Sequence, residues 1–291
     1  MRRILKFGMA IVVLIAVGVV VYVAGRNSRP IVLPIETATS TGPVRAIIGR
    51  SVQGRAIESF TYVSPQSTST KKFVFVGGIH GGYEWNGVLL AYQFMDYIEL
   101  HPEIIPANVS VIVIPNANPD GVYRVTNKEG RFTSTDVATS TAVQESGRFN
   151  ARNVDLNRNF DCLWQATSTW RSKAVSAGTA PFSEPEAAAF RDFISVTKPT
   201  AVVFWHSQSN AVYASQCGKG ILPGTTALMN TYATASKYPA VNTFTAYVTT
   251  GAADDWLASI GIPAITVELS THETIEFERN IAGVKAVLLG K

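Results

Sequence analysis

Short unbroken apolar runs alternate along this chain with stretches of helical period. Residues 73–76, 201–205 and, apart from Ser110, Val109–Ile114 are apolar at every position. Runs of this length, rich in β-branched and aromatic residues, predict strands buried on both faces. Ala264–Leu269 and residues 244–248 predict two more strands. Between residues 46 and 63 apolar and polar positions alternate around Gly49 and Gly54, the pattern of a hairpin. A helical period starts near Gly87, and Phe277, Ile281, Val284 and Leu288 mark another at the C-terminus. A third helix opens at Ser183-Glu-Pro-Glu186, where the serine and Glu186 have capping-box spacing and the proline falls in the first turn. Residues 125–150 are polar without a strong period and predict a long surface loop. No repeat is present. Strands and helices alternate throughout, which predicts one α/β domain over residues 46–291, built on a central mixed, largely parallel sheet flanked by helices.

The first 45 residues have a different character. Residues 7–25 contain no charge and are rich in Val, Ile and Leu, after a start of Met-Arg-Arg-Ile-Leu-Lys. Nineteen such residues nearly match the roughly 20 needed to span a bilayer as a helix, and exceed the roughly 7–15 of a signal-peptide core. The length therefore favours an uncleaved membrane anchor over residues 1–25, with secretion after cleavage as the alternative. The leading basic residues would stay inside, placing the rest of the chain outside the cytoplasm. Residues 26–45, polar and punctuated by Pro and Gly, form a tether. Charge changes the picture little beyond this. Arg2, Arg3, Lys6, Arg26 and Arg29 precede the first acid, Glu36, and without them the formal charge of +4 becomes −1. Nothing in that balance suggests a nucleic-acid partner. At 46% hydrophobic residues the chain can bury a full core. Its two cysteines, Cys162 and Cys217, read either as a disulfide or as two separate buried thiols.

Polar residues collect where the predicted strands end. His80 and Glu84 follow one strand through a glycine-rich turn, Asn116 follows the next, His206 follows residues 201–205, and Glu268 stands near the end of Ala264–Leu269. That edge is where open α/β sheets build their sites. Two histidines and a carboxylate leave a fourth coordination position open, the arrangement of a catalytic zinc. Taken singly, each histidine reads as a hydrogen-bonded loop residue. His101 belongs to the surface, and His272 borders the candidate site without a role. Residues 147–160 hold Arg148, Arg152 and Arg158 with four asparagines and one acid, Asp155. Arginine forks hold carboxylates in two places, so this segment predicts an anion pocket.

Several stretches together resemble the zinc carboxypeptidase family over residues 46–291: His80…Glu84, Asn116-Ala-Asn-Pro-Asp-Gly, Asn153-Val-Asp-Leu-Asn-Arg-Asn-Phe160, Pro181-Phe-Ser-Glu-Pro-Glu186, Trp205-His206-Ser207, Asp255-Trp256 and Ile265-Thr-Val-Glu268-Leu. The resemblance implies that His80, Glu84 and His206 hold one Zn²⁺. It implies that Glu268 is the general base, that Arg148 polarises the scissile carbonyl, and that Asn157 and Arg158 grip the substrate's terminal carboxylate. By spacing, Tyr247 matches a mobile tyrosine that covers substrate. Asp254 falls where the family sets specificity, and an acid there resembles members that prefer basic or diamino C-terminal residues. The implied substrate is a peptide or muropeptide with a free C-terminal carboxylate. Alternatives on the same scaffold are a cell-wall muropeptide amidase, an N-acyl amino acid deacylase, and a peptide-binding pseudoenzyme. Three residues separate His80 from Glu84 where the family has two, and the compact domain resembles bacterial members. The resemblance also sets Cys162 and Cys217 both beside the site, where they can pair.

Overall fold

The computed structural model describes residues 42–290, with the exception of 65 and 69. Its centre is an eight-stranded sheet: β1 (Val44–Arg50), β2 (Ala56–Val63), β3 (Lys71–Val76), β4 (Val109–Ile114), β7 (Ala201–Ser207), β8 (Ala211–Ala214), β9 (Ala240–Val241) and β10 (Ala264–Leu269), in the order β1-β2-β4-β3-β7-β10-β8-β9. β3, β4, β7 and β10 run parallel to their neighbours in the middle. The β1–β2 hairpin and β8 are antiparallel additions, so the sheet is mixed. A separate two-stranded ribbon pairs β5 (Thr167–Trp170) with β6 (Lys173–Ser176).

The central strands are apolar at nearly every position because helices cover both faces. Phe75, Val203, Trp205, Ile265 and Val267 point to one face, where they pack with α1 (Trp85–Leu100), α5 (Pro223–Ser236) and α7 (Phe277–Leu289). Val74, Val76, Val202, Phe204 and Ala264 point to the other, against α4 (Pro185–Thr197) and α6 (Ala253–Ser259). The period of two puts His206 and Glu268 on this second face. Gly87 lets α1 lie directly on the end of β7, since a Cβ there would meet the Trp205 carbonyl oxygen at 2.9 Å.

Four expectations differ from the structure. Residues 244–248 are not a strand: the sheet edge beside β8 is taken by β9, and Phe244 instead meets Tyr213 and Tyr247 edge-on. The polar stretch 125–150 contains two short helices, α2 (Pro119–Thr126) ending within it and α3 (Thr141–Ser146) inside it. The capping box at Ser183 does not form. The cap is Glu184, with Pro185 in the first turn as expected, while Ser183 Oγ bonds Asn159 and Glu184. β1 begins at Val44, inside the stretch assigned to the tether. The expected membrane span at 7–25 lies outside the described residues. Among the described residues no helix is long and apolar enough to cross a membrane.

Candidate metal centre and cavity

The carboxyl edge of three parallel strands assembles the site. β3 delivers His80 and Glu84 through the turn that follows it, β7 carries His206, and β10 carries Glu268 directly opposite His206 in the ladder. The turn is a single 3₁₀ turn, Gly81–Glu84, starting at His80. It accommodates the additional residue because Gly81 adopts φ 49°, and any Cβ there would lie 2.4 Å from the Gly147 carbonyl oxygen. Glu84 thereby returns to the sheet edge. One ligand atom from each of His80, Glu84 and His206 falls within 4.8 Å of the others, and all three residues are buried.

Electrostatics hold this cluster together. Burial would raise the Glu84 carboxyl, but His80, His206 and Arg148 hold it down at about 2. Burial and then the Arg148 charge push His80 down to about 4, so its imidazole is neutral. Burial also opposes charge on His206, but Glu84, with Oε2 3.0 Å from His206 Nδ1, raises it. Arg148 donates through Nε to Asp155 Oδ2 at 2.9 Å, and its Nη1 lies 3.8 Å from Glu84. Asp155 is fully buried; desolvation works against its charge, yet Arg148 and His80 hold its carboxyl well below the usual range. His80 Nδ1 and Asp155 Oδ1, 3.3 Å apart, are both buried and neither makes a hydrogen bond. Two imidazoles, one ionised carboxylate and an unsatisfied ring nitrogen form a donor set that fits a zinc ion. The Ser207 amide steadies the carboxylate from behind, donating to Glu84 Oε2 at 3.3 Å.

A cavity of about 590 Å³ opens beside these residues, lined among others by His80, His206, Glu268, Asn157, Arg158, Tyr247, Asp254 and Thr266. Asn157 Oδ1 accepts from the Ala253 amide at 2.8 Å. Arg158 gives three of its N–H groups to main-chain carbonyls of Asn157 and Thr169, which leaves two of its five for a ligand. Glu268 is pushed up to about 7, first by burial and then by the Glu84 charge. Asp254 Oδ2 accepts from Thr266 Oγ1 at 3.1 Å, and its neighbour Asp255 accepts from the Gln216 amide. Tyr247 lies between this cavity and a small aromatic cluster of Tyr83 and Trp170. Cys162 and Cys217 are bonded, with their Cα atoms 5.9 Å apart. Their neighbours Leu163, Gln216 and Gly218 form part of the cavity wall.

The structure thus brings the predicted site residues to one region, with Arg148 between Glu84 and Asp155 at the metal donors. The sequence reading missed Asp155 as partner of His80 and Arg148; as the lone acid among three arginines it carried a signal. Thr266 was missed as well, although it alternates with Glu268 on one strand face.

An α/β domain whose parallel strands end in a buried His/Glu/His group beside an open cavity has the layout of a candidate metal site. The chain belongs to the zinc carboxypeptidase family, whose profile matches residues 43–283. It is similar to human carboxypeptidase A6, with 26% identity over 239 residues, covering 74% of this chain and 52% of that protein. Similarity extends to the inactive metallocarboxypeptidase ECM14 of Saccharomyces cerevisiae, 28% over 187 residues, covering 58% and 41%. The chain spans about half the length of the curated relatives it matches. Among solved structures, murein-tripeptide amidase MpaA from Escherichia coli O157 shares the fold, with a TM-score of 0.60, 22% identity, and coverage of 85% of this chain and 91% of that one.

Two predictions follow from this geometry. Gly81→Ala forces a side chain onto the Gly147 carbonyl at a positive φ; strain of this kind costs about 1–3 kcal/mol, and the turn must shift Glu84. Zinc affinity measured by competition with a chelator should fall at least tenfold. The second concerns pH. Burial, and then the Asp254 charge, push Asp255 up to about 8. A raised folded-state pKa gives stability that is full below the unfolded value of about 4 and is lost as pH rises through about 8. Asp255→Asn, which keeps the acceptor for Gln216, should flatten the fall in Tm between pH 5 and pH 9; a variant whose Tm falls as steeply as wild type would contradict this.

Proposed function

We propose that this chain is a zinc-dependent metallocarboxypeptidase that hydrolyses the last peptide bond of peptides with a free C-terminal carboxylate, preferring a basic or diamino last residue. The observation that carries the reading is one continuous arrangement: the His80/Glu84/His206 group opens onto a cavity that also presents Glu268, Arg158 and Asp254.

Held by these three residues, zinc supplies Lewis-acid polarisation of a carbonyl and a water of lowered pKa. The chain's own groups do the rest. Glu268, poised near neutrality, accepts a proton from the attacking water and returns it to the leaving amine. The two remaining N–H groups of Arg158, with Asn157 beside them, bind the terminal carboxylate, so the enzyme trims ends. Asp254, held by Thr266, faces the last side chain and offers a carboxylate to its amine. Tyr247 closes over the occupied cavity, and Arg148 adds positive charge beside Glu84 where the carbonyl oxygen becomes negative. The disulfide supports a location outside the cytoplasm, where such bonds persist. The apolar run at 7–25 supports a membrane tether.

The full chain should bind one zinc ion and release lysine from a short peptide ending in lysine, but leave the C-terminally amidated peptide intact. Glu268→Gln should keep its zinc and lose about 10²–10⁴-fold in kcat. Absence of stoichiometric zinc, or an unchanged rate in Glu268→Gln, would falsify the mechanism. Release of diaminopimelate from a muropeptide faster than lysine from the simple peptide would assign the cell-wall substrate instead.

A further inference from the structure

Beside the metal donors stands a buried aromatic wall with a basic rim that the reading above leaves unused. Tyr83, the residue before Glu84, packs edge-on to Trp170 with ring centroids 5.1 Å apart. Trp170 ends β5, and the turn into β6 presents Arg171 and Lys173. The Trp170 ring is surrounded by cations: Arg148 at 4.7 Å from its centroid, Arg171 at 5.4 Å and Lys173 at 5.3 Å. Since Arg148 in turn approaches Glu84, one indole ring connects the rim to the metal donors. None of Tyr83, Trp170, Arg171 and Lys173 belongs to the lining of the 590 Å³ cavity.

The rim is positively charged and about half exposed. Arg171 donates from Nη2 to the Tyr83 hydroxyl at 2.7 Å, which fixes the guanidinium over the wall. Its Nη1 is 3.9 Å from Glu145, and 53% of its side chain is exposed. Lys173, 60% exposed, shares the same Glu145 at 3.2 Å. Two cations therefore divide one carboxylate, and about half of the Arg171 side chain faces solvent.

We propose that this rim is an acyl-side subsite that selects a carboxylate on the residue immediately before the C-terminal one. The inference rests on the carboxypeptidase reading. With the terminal carboxylate on Arg158 inside the cavity, the remainder of the peptide leaves the metal donors on the side of Arg171 and Lys173, whose side chains are about half exposed. Arg171, held in place by the buried Tyr83 and Trp170 rings beneath it, takes the carboxylate of that residue, with Lys173 adding charge. The preferred substrate class is then a peptide whose last two residues are acidic and basic in that order. Because the rim is half exposed, the selectivity is modest, about three- to tenfold, as for other solvent-screened pairs strengthened by an arginine fork.

The test compares two peptides, Ala-Ala-Glu-Lys and Ala-Ala-Gln-Lys, on the full chain. Affinity is measured by calorimetry on the metal-free protein, and kcat and KM on the zinc-loaded protein. The glutamate peptide should bind about three- to tenfold tighter, with the difference in KM rather than kcat, and the difference should shrink as salt is added. In Arg171→Gln the ratio should fall to about one, Arg171→Lys should retain part of it, and Glu145→Gln should increase it by removing the competing acid. Equal affinity for the two peptides in the wild type, or an unchanged ratio in Arg171→Gln, overturns the subsite. If both peptides are cleaved without preference, the subsite alone is wrong; if neither binds nor is cleaved, the carboxypeptidase reading falls with it.

Discussion

Glu84 and Asp155 are both ionised and both removed from water, and the rest of the site is arranged around that fact. A buried carboxylate is strongly unfavourable unless charge and hydrogen bonds answer it. Arg148 lies between the two and serves both, with its Nε on Asp155 and its Nη1 toward Glu84. His206 adds to the neutralisation from beside Glu84, while the neutral His80 ring lies 3.3 Å from Asp155. Arg148 thereby keeps a pair of negative charges tolerable inside the domain.

Much of this was legible in the sequence because strand ends are legible. Unbroken apolar runs mark central strands, and the residues that follow them must gather at one edge once the strands are parallel. His80, His206 and Glu268 could be placed in this way. The arginines and asparagines of residues 147–160 marked an anion pocket by their chemistry, and the family resemblance supplied the roles of Arg148, Asn157 and Arg158 together with Tyr247 and Asp254. What failed depended on competition for neighbours. Residues 244–248 have the composition of a strand, but a strand requires a free edge, and Ala240–Val241 already occupies it. Ser183 has the right spacing for a cap, but Asn159 draws its hydroxyl into a different network. α3 arises in a polar stretch whose short length gives too little period to detect.

The turn after β3 shows how an altered spacing can preserve a ligand set. One more residue between His80 and Glu84 would ordinarily rotate the carboxylate away. A positive φ at Gly81 and a tight approach to Gly147 turn the chain back within a single 3₁₀ turn, so both side chains return to the sheet edge. Geometry at the donors is thus retained through backbone freedom and not through conserved count.

The direct pairing of Glu268 with His206 across neighbouring strands has a wider meaning. Their separation is fixed by main-chain hydrogen bonds that are indifferent to side-chain identity. The surrounding walls come from elsewhere: the disulfide-linked loops, the irregular segment bearing Tyr247, and the ribbon tip bearing Arg171. Such a division lets a lineage exchange its taste in ligands by redrafting surface segments, while the reactive geometry is inherited unchanged through the weave of the sheet.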